Sequence, residues 1–151
     1  MPGHCCVKTD PPPRGIGHPG ARERGAAAVE FALVVGLLLT IVFGIVEFGV
    51  YYSDRMVVDN AAREGVRAAS LNQTQSTVVA ATQNALSALP GYSAAGITVT
   101  CVSSSGGSCS LATTGASGGQ ATVSVRYTHS WLTPLFTGST VITVSSQMRI
   151  E

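Results

Sequence analysis

The fold is decided by the stretch Gly25-Ala26-Ala27-Ala28-Val29-Glu30-Phe31-Ala32-Leu33-Val34-Val35-Gly36-Leu37-Leu38-Leu39-Thr40-Ile41-Val42-Phe43-Gly44-Ile45-Val46, which continues as Glu47-Phe48-Gly49-Val50-Tyr51-Tyr52. No charged residue lies between Glu30 and Glu47. A helix of about 20 apolar residues, rising ~1.5 Å per residue, crosses a hydrocarbon core of roughly 30 Å. Cleaved secretory signals have shorter apolar cores, of about 7–15 residues. The stretch therefore predicts one transmembrane helix.

Two features distinguish this helix from a simple anchor. Glu30 lies about one turn inside the span, where an unpaired ionisable group costs on the order of 2.5 kcal/mol or more; it either reaches the nearby interface or has a functional partner. Small residues also recur every four positions on one face. This spacing either forms a surface for helix packing or arises by chance in a chain rich in Ala and Gly. Such a ridge lets neighbouring helices approach closely in lipid, and it consists of Ala28, Ala32, Gly36, Thr40 and Gly44.

The distribution of charge indicates the orientation of the span. The 151-residue chain has a net charge of only +1, so it offers no case for a nucleic-acid partner. Four of the nine Lys and Arg residues precede the span, which places that end in the cytoplasm: Lys8, Arg14, Arg22 and Arg24. Arg55, Arg63 and Arg67 follow the span closely and argue for the opposite orientation.

The residues around the start of the span resemble a known family. Arg22-Glu23-Arg24-Gly25, then Ala26–Leu33, then Gly44-Ile45-Val46-Glu47-Phe48-Gly49 look like the TadE-like pseudopilins of the tight-adherence (Flp-type) pilus, with the N-terminus of a type IV prepilin. The resemblance implies that a prepilin peptidase cuts between Gly25 and Ala26. Glu30, followed by Phe31, then becomes the fifth residue of the mature chain and acts in assembly. At Val35-Gly36 the chain lacks the Leu-Pro step that is frequent in the family.

The resemblance also implies a function and a location. The chain would be a minor pseudopilin that helps to assemble a tight-adherence pilus, an organelle of cell adhesion, or a related secretion apparatus. Its partners would be the peptidase, other pilins and pseudopilins, the inner-membrane assembly platform and the lipid bilayer. The N-terminus would be cytoplasmic and the C-terminal domain extracytoplasmic. The alternative is a single-pass envelope binding module that keeps its leader.

Composition and periodicity divide the chain into three predicted segments. Residues 1–25 form a Pro- and Gly-rich leader that we expect to be disordered; its His4, Cys5 and Cys6 lack the spacing of a zinc site. Residues 26–70 form the transmembrane and stalk helix, whose face with Arg55, Asp59, Arg63 and Arg67 predicts a solvated surface. Residues 71–151 form an extracytoplasmic domain.

The extracytoplasmic domain is predicted to complete an α+β fold. A second short helix runs from Thr77 to Leu89 with Ser76 as N-cap. Alternation of apolar and polar residues predicts an antiparallel three-stranded meander packed on that helix, with strands near 97–102, 121–128 and 141–150. The aromatic loop Trp131–Phe136 either plugs the open end of the sheet or contacts another subunit. In an oxidising compartment Cys101 and Cys109 form a disulfide.

The sequence offers little for catalysis. It contains no zincin, nucleophile-elbow or phosphate-loop motif, and it predicts no cofactor and no metal site. His129 stands alone beside Ser130 and Trp131, and no carboxylate lies between Glu64 and Glu151. Because that stretch supplies no acid–base pair, we expect a structural protein and not an enzyme.

Overall fold

The computed structural model describes residues 20–92, 96–133 and 138–151. The chain divides into two compact units, Met1–Thr40 and Ile41–Glu151. The elements in chain order are α1 (Gly20–Ser70), α2 (Gln75–Leu86), β1 (Ile97–Val102), β2 (Gln120–Ser130) and β3 (Ser139–Arg149). The predicted α+β class, with a long apolar helix, a second short helix and an antiparallel meander, is confirmed.

Helix α1 carries the apolar stretch. It begins at Gly20, six residues before the predicted start at Ala26. Ala, Arg and Glu at positions 21–24 are good helix formers, and no proline occurs between Pro19 and Pro90 to interrupt the helix. Its part from Gly25 onward is long and apolar enough to cross a membrane. The rest of the leader, with His4, Cys5 and Cys6, lies outside the described residues.

The turn between the helices differs from the prediction at its cap. Thr74, and not Ser76, is the N-cap of α2: its Oγ1 accepts a hydrogen bond from the Thr77 amide at 3.3 Å. Thr74 has the extended backbone that an N-cap requires, whereas Ser76 already lies in the first turn of α2. The helix also ends at Leu86, three residues early, because Leu89 closes a tighter turn onto the Leu86 carbonyl before Pro90.

The three strands form a sheet in the order β1-β2-β3, with both pairs antiparallel. β2 is central and regular, since it pairs with β3 from Gln120 to Ser130 without interruption. Alternate β2 side chains are buried: Ala121, Val123, Val125, Tyr127 and His129. On β3 Ile142 is buried as predicted, but Met148 is 43% exposed.

The core lies between this sheet and both helices. The stalk also has an apolar face that packs on the sheet domain of the same chain: Val58, Ala61, Ala62, Val66 and Ala69 are fully buried. Gly65 permits the closest approach, since a Cβ there would collide with the Thr82 hydroxyl of α2 and lie 3.1 Å from Val123 Cγ1 of β2. The meander therefore packs against α1 as well as α2.

Candidate functional site

The residues predicted to act in processing and assembly lie on the exposed surface of α1. Gly25, Ala26, Glu30 and Phe31 are all exposed, Phe31 by 70%. Among the described residues no cation lies within salt-bridge distance of Glu30. Their roles in cleavage and assembly remain predictions.

The ridge of small residues makes few contacts within the chain. Ala28, Ala32, Gly36 and Thr40 are exposed and Gly44 is half-buried. A Cβ added at Gly36 or Gly44 would meet nothing within 4 Å. The Thr40 hydroxyl donates to the Gly36 carbonyl at 2.9 Å, so its polar group is satisfied inside the helix. The ridge is therefore open to a partner helix.

A second group of residues, missed by sequence reasoning as a site, lies where α1 leaves the apolar stretch. Glu47 is only 1% exposed although it follows the span directly. Its Oε1 accepts hydrogen bonds from the Leu132 amide at 2.5 Å and the Thr133 amide at 3.4 Å. Glu47 thus fixes the backbone that follows β2 against α1. We call the contacts of Glu47, Tyr51 and Asp54 with residues 129–133 the juxtamembrane clasp.

The clasp also contains an acid–base pair. His129 Nδ1 lies 2.7 Å from Asp54 Oδ2, with the two side chains 2% and 13% exposed. The expectation that His129 stands alone is therefore wrong. The pair escaped detection because its members are 75 positions apart and Asp54 lies before the stretch searched for a carboxylate. Asp54 follows Glu47 by seven residues, or two helical turns, so both reach the same side of α1.

Aromatic rings fill the space between these polar contacts. The Tyr51 ring stacks on Trp131 at 6.0 Å between centroids and meets His129 edge to face at 5.5 Å. His129 in turn meets Trp131 edge to face at 5.1 Å. Of the predicted aromatic loop, residues 131–133 are described and residues 134–136 lie outside the described residues. Trp131 thus lies between Tyr51 of α1 and His129 of β2, and both interpretations of the loop stay predictions.

Within the described residues, three buried atoms of the clasp have no hydrogen-bond partner: Glu47 Oε2, His129 Nε2 and Thr133 Oγ1. Next to the clasp, burial and then the Asp54 carboxylate raise the pKa of Tyr127, whose hydroxyl donates to the Pro90 carbonyl at 3.1 Å. No cluster of three or more metal-ligating side chains occurs in the part of the chain that is described. The clasp can therefore hold the sheet to the helix.

The remaining predictions concern the stalk surface and the cysteines. Asp59 and Arg63 form an exposed ion pair at 3.0 Å, one helical turn apart, and Arg55 and Arg67 are exposed. These side chains border open grooves between α1 and β3, as expected for a solvated face. The Sγ atoms of Cys101 and Cys109 lie at disulfide distance, with 5.0 Å between their Cα atoms.

Comparison with known proteins supports the resemblance seen in the sequence. The family model described as TadE-like protein matches residues 25–67. No curated protein and no solved structure matches the chain. The matched segment contains Glu30, the apolar stretch, Glu47 and Asp54, and it ends on the stalk. Over residues 25–67 the chain is therefore similar to TadE-like proteins.

Proposed function

We propose that the chain is a minor pseudopilin that takes part in assembling a tight-adherence pilus or a related secretion apparatus. The observation that carries the proposal is the TadE-like match over residues 25–67, which contains the predicted cleavage point, Glu30 and the span in the order that a prepilin requires. The role is structural, without catalysis or a cofactor.

The first step is removal of the leader. Hydrolysis of the peptide bond between Gly25 and Ala26 consumes one water and leaves a carboxylate on Gly25 and an amine on Ala26. Both residues are exposed, and a Cβ at Gly25 would meet nothing within 4 Å. This accessibility supports a peptidase approaching from the membrane interface.

The second step is pairing of Glu30 with the new amine of a neighbouring subunit. Glu30 has no cation partner within the described residues, and an unpaired carboxylate in a span is costly. An ammonium group from the next subunit would offset that cost and fix the axial position of one helix against the other. The open ridge that includes Gly36 and Gly44 would let the two backbones pack closely.

The test is the N-terminal sequence, by mass spectrometry, of the protein recovered from membranes of cells with and without a prepilin peptidase. We expect a mature start at Ala26 only when the peptidase is present. An intact leader in both strains would overturn the proposal and favour the tethered envelope module. A Gly25→Val variant is the matched control, since it alters the residue before the cut and leaves the span unchanged.

A further inference from the structure

We propose that the start of the β2–β3 connection, Trp131 and Leu132, binds the lipid headgroup region on the extracytoplasmic side. This surface would be a second membrane contact of the folded domain, additional to the span itself. The proposal rests on the membrane insertion assumed in the proposed function. It is carried by the position of the connection, by its side-chain chemistry and by the lack of an exposed charged side chain on α1 between Glu47 and Arg55.

The position follows from the hydrogen bonds of Glu47. Glu47 comes directly after the apolar stretch, and the exposed Ile45 (67%) belongs to the last turn of that stretch. The amides of Leu132 and Thr133 both donate to Glu47 Oε1. The backbone at Leu132 is therefore fixed at the height where α1 leaves the hydrocarbon.

The side chains at this height suit a bilayer interface. Leu132 is 67% exposed and Phe48 is 64% exposed. The rings of Phe48, Tyr51 and Trp131 form a continuous row, with centroids 6.3 Å and 6.0 Å apart. Trp and Tyr concentrate at membrane interfaces because their rings are apolar while one edge carries a polar group.

The charged side chains of α1 at this height, Glu47 and Asp54, are already shielded from solvent. Glu47 is buried against two amides, and Asp54 is paired with the buried His129. Along α1 the first exposed charged side chain after Glu47 is Arg55, two turns further on. Contact with lipid therefore requires no further charge to be desolvated, which would otherwise oppose it. A lipid surface fits this combination better than a charged protein partner.

Trp131 reports on the proposal directly because it is the one tryptophan of the chain. The full chain is reconstituted at high dilution in phosphatidylcholine vesicles that carry bromine either near the headgroup or near the end of the acyl chain. We expect Trp131 fluorescence to be quenched in both, and more strongly by the shallow bromine. Stronger quenching by the deep bromine would overturn the interfacial position.

A second reporter separates this proposal from membrane insertion itself. In a Trp131→Phe, Phe43→Trp double variant the tryptophan lies within the span. If this tryptophan is quenched and Trp131 in the unmodified chain is not, the lipid contact is overturned while insertion stands, and a contact with another subunit replaces it. If neither is quenched, both the lipid contact and the membrane function are overturned.

Variants of one exposed leucine supply the last comparison. Leu132→Ser should weaken shallow quenching of Trp131, whereas Leu71→Ser should not. Leu71 is 56% exposed but directly follows the end of α1 at Ser70, which lies about 35 Å along the helix from Glu47. Equal quenching in the unmodified chain and in both variants would show that Leu132 does not contribute, and would overturn the proposed surface.

Discussion

The Glu47 side chain holds the extracytoplasmic domain to α1 at the end of the apolar stretch. A buried carboxylate is costly unless it is hydrogen-bonded, and here two backbone amides supply the bonds. Because Leu132 is 85 positions away, sequence periodicity could not find this contact. In the sequence Glu47 was visible as a charge at the end of an apolar run and as part of the motif that resembles TadE-like pseudopilins.

Replacing Glu47 with Ala should destabilise the extracytoplasmic domain. It leaves the part-buried amides of Leu132 and Thr133 without this acceptor, and an unsatisfied buried group costs at most about 1–3 kcal/mol. Glu47→Gln should lose less, because its amide oxygen still accepts a hydrogen bond. Denaturant unfolding of the full chain in detergent micelles measures both changes. Glu64→Ala, at an exposed site on the same helix, is the control, and equal midpoints for Glu47→Ala and Glu64→Ala would contradict the role of the clasp.

Replacing Glu30 with Gln should block incorporation into the pilus while leaving membrane insertion unchanged. The variant keeps the size of the side chain but cannot pair with an ammonium group. Immunoblots of sheared pili and of membrane fractions measure the two outcomes separately. Glu64→Gln is the matched control on the exposed stalk. Normal incorporation of the Glu30→Gln protein would remove Glu30 from the mechanism.

Tyr127 should make the folded domain sensitive to alkali. Burial, reinforced by the Asp54 carboxylate, raises its pKa above the ordinary value of 10.0. The folded state therefore favours the protonated phenol, so this contribution to the free energy of unfolding is complete below about pH 10 and is lost as pH rises through the raised pKa. Denaturant midpoints measured from neutral to alkaline pH should fall more steeply for the unmodified chain than for Tyr127→Phe. Parallel curves would refute this assignment.

At the scale of elements, local pattern predicted much of the fold. The apolar run marked α1, and strict alternation marked β2, because one face of that strand lies on the core. Helix ends were less accurate: Thr74 and Ser76 are both good caps, and only the backbone conformation selects Thr74. The meander was predicted to pack on α2, and its packing on α1 could not be predicted, because an apolar helix face fits its own domain or a neighbour equally well.

The contact between α1, α2 and β2 depends on Gly65. A Gly65→Ala methyl group would press on Thr82 and Val123, and overpacking of this kind costs about 1–3 kcal/mol. Gly49→Ala on the same helix meets nothing within 4 Å and should be neutral or slightly stabilising. Thermal unfolding followed by circular dichroism compares the two. Adding Thr82→Ala should recover part of the loss, and a Gly65→Ala protein as stable as Gly49→Ala would disprove the close packing.

At the scale of the whole molecule, the two edge strands of the sheet have different neighbours. The Cys109 amide donates to the Cys101 carbonyl at 3.1 Å, and Ser108 bridges to Val102, so the loop closed by the cysteines covers one end of β1. β3 presents its 11 residues along the other edge, beside the stalk part of α1. The pattern of residues predicted the order of strands, whereas the covering of the edges depends on contacts that only the folded chain brings together.

The attachment of the sheet domain along α1 has a mechanical consequence. The clasp at Glu47 begins this attachment, and the Glu151 amide, which donates to the Ser70 carbonyl at 2.8 Å, lies at its far end. A pull directed along the helix axis would act on the intervening contacts in shear, so they would resist together and would not open one after another. A pull that lifts Trp131 away from Tyr51 would instead peel the domain from its membrane end. The domain should therefore withstand axial tension better than sideways force.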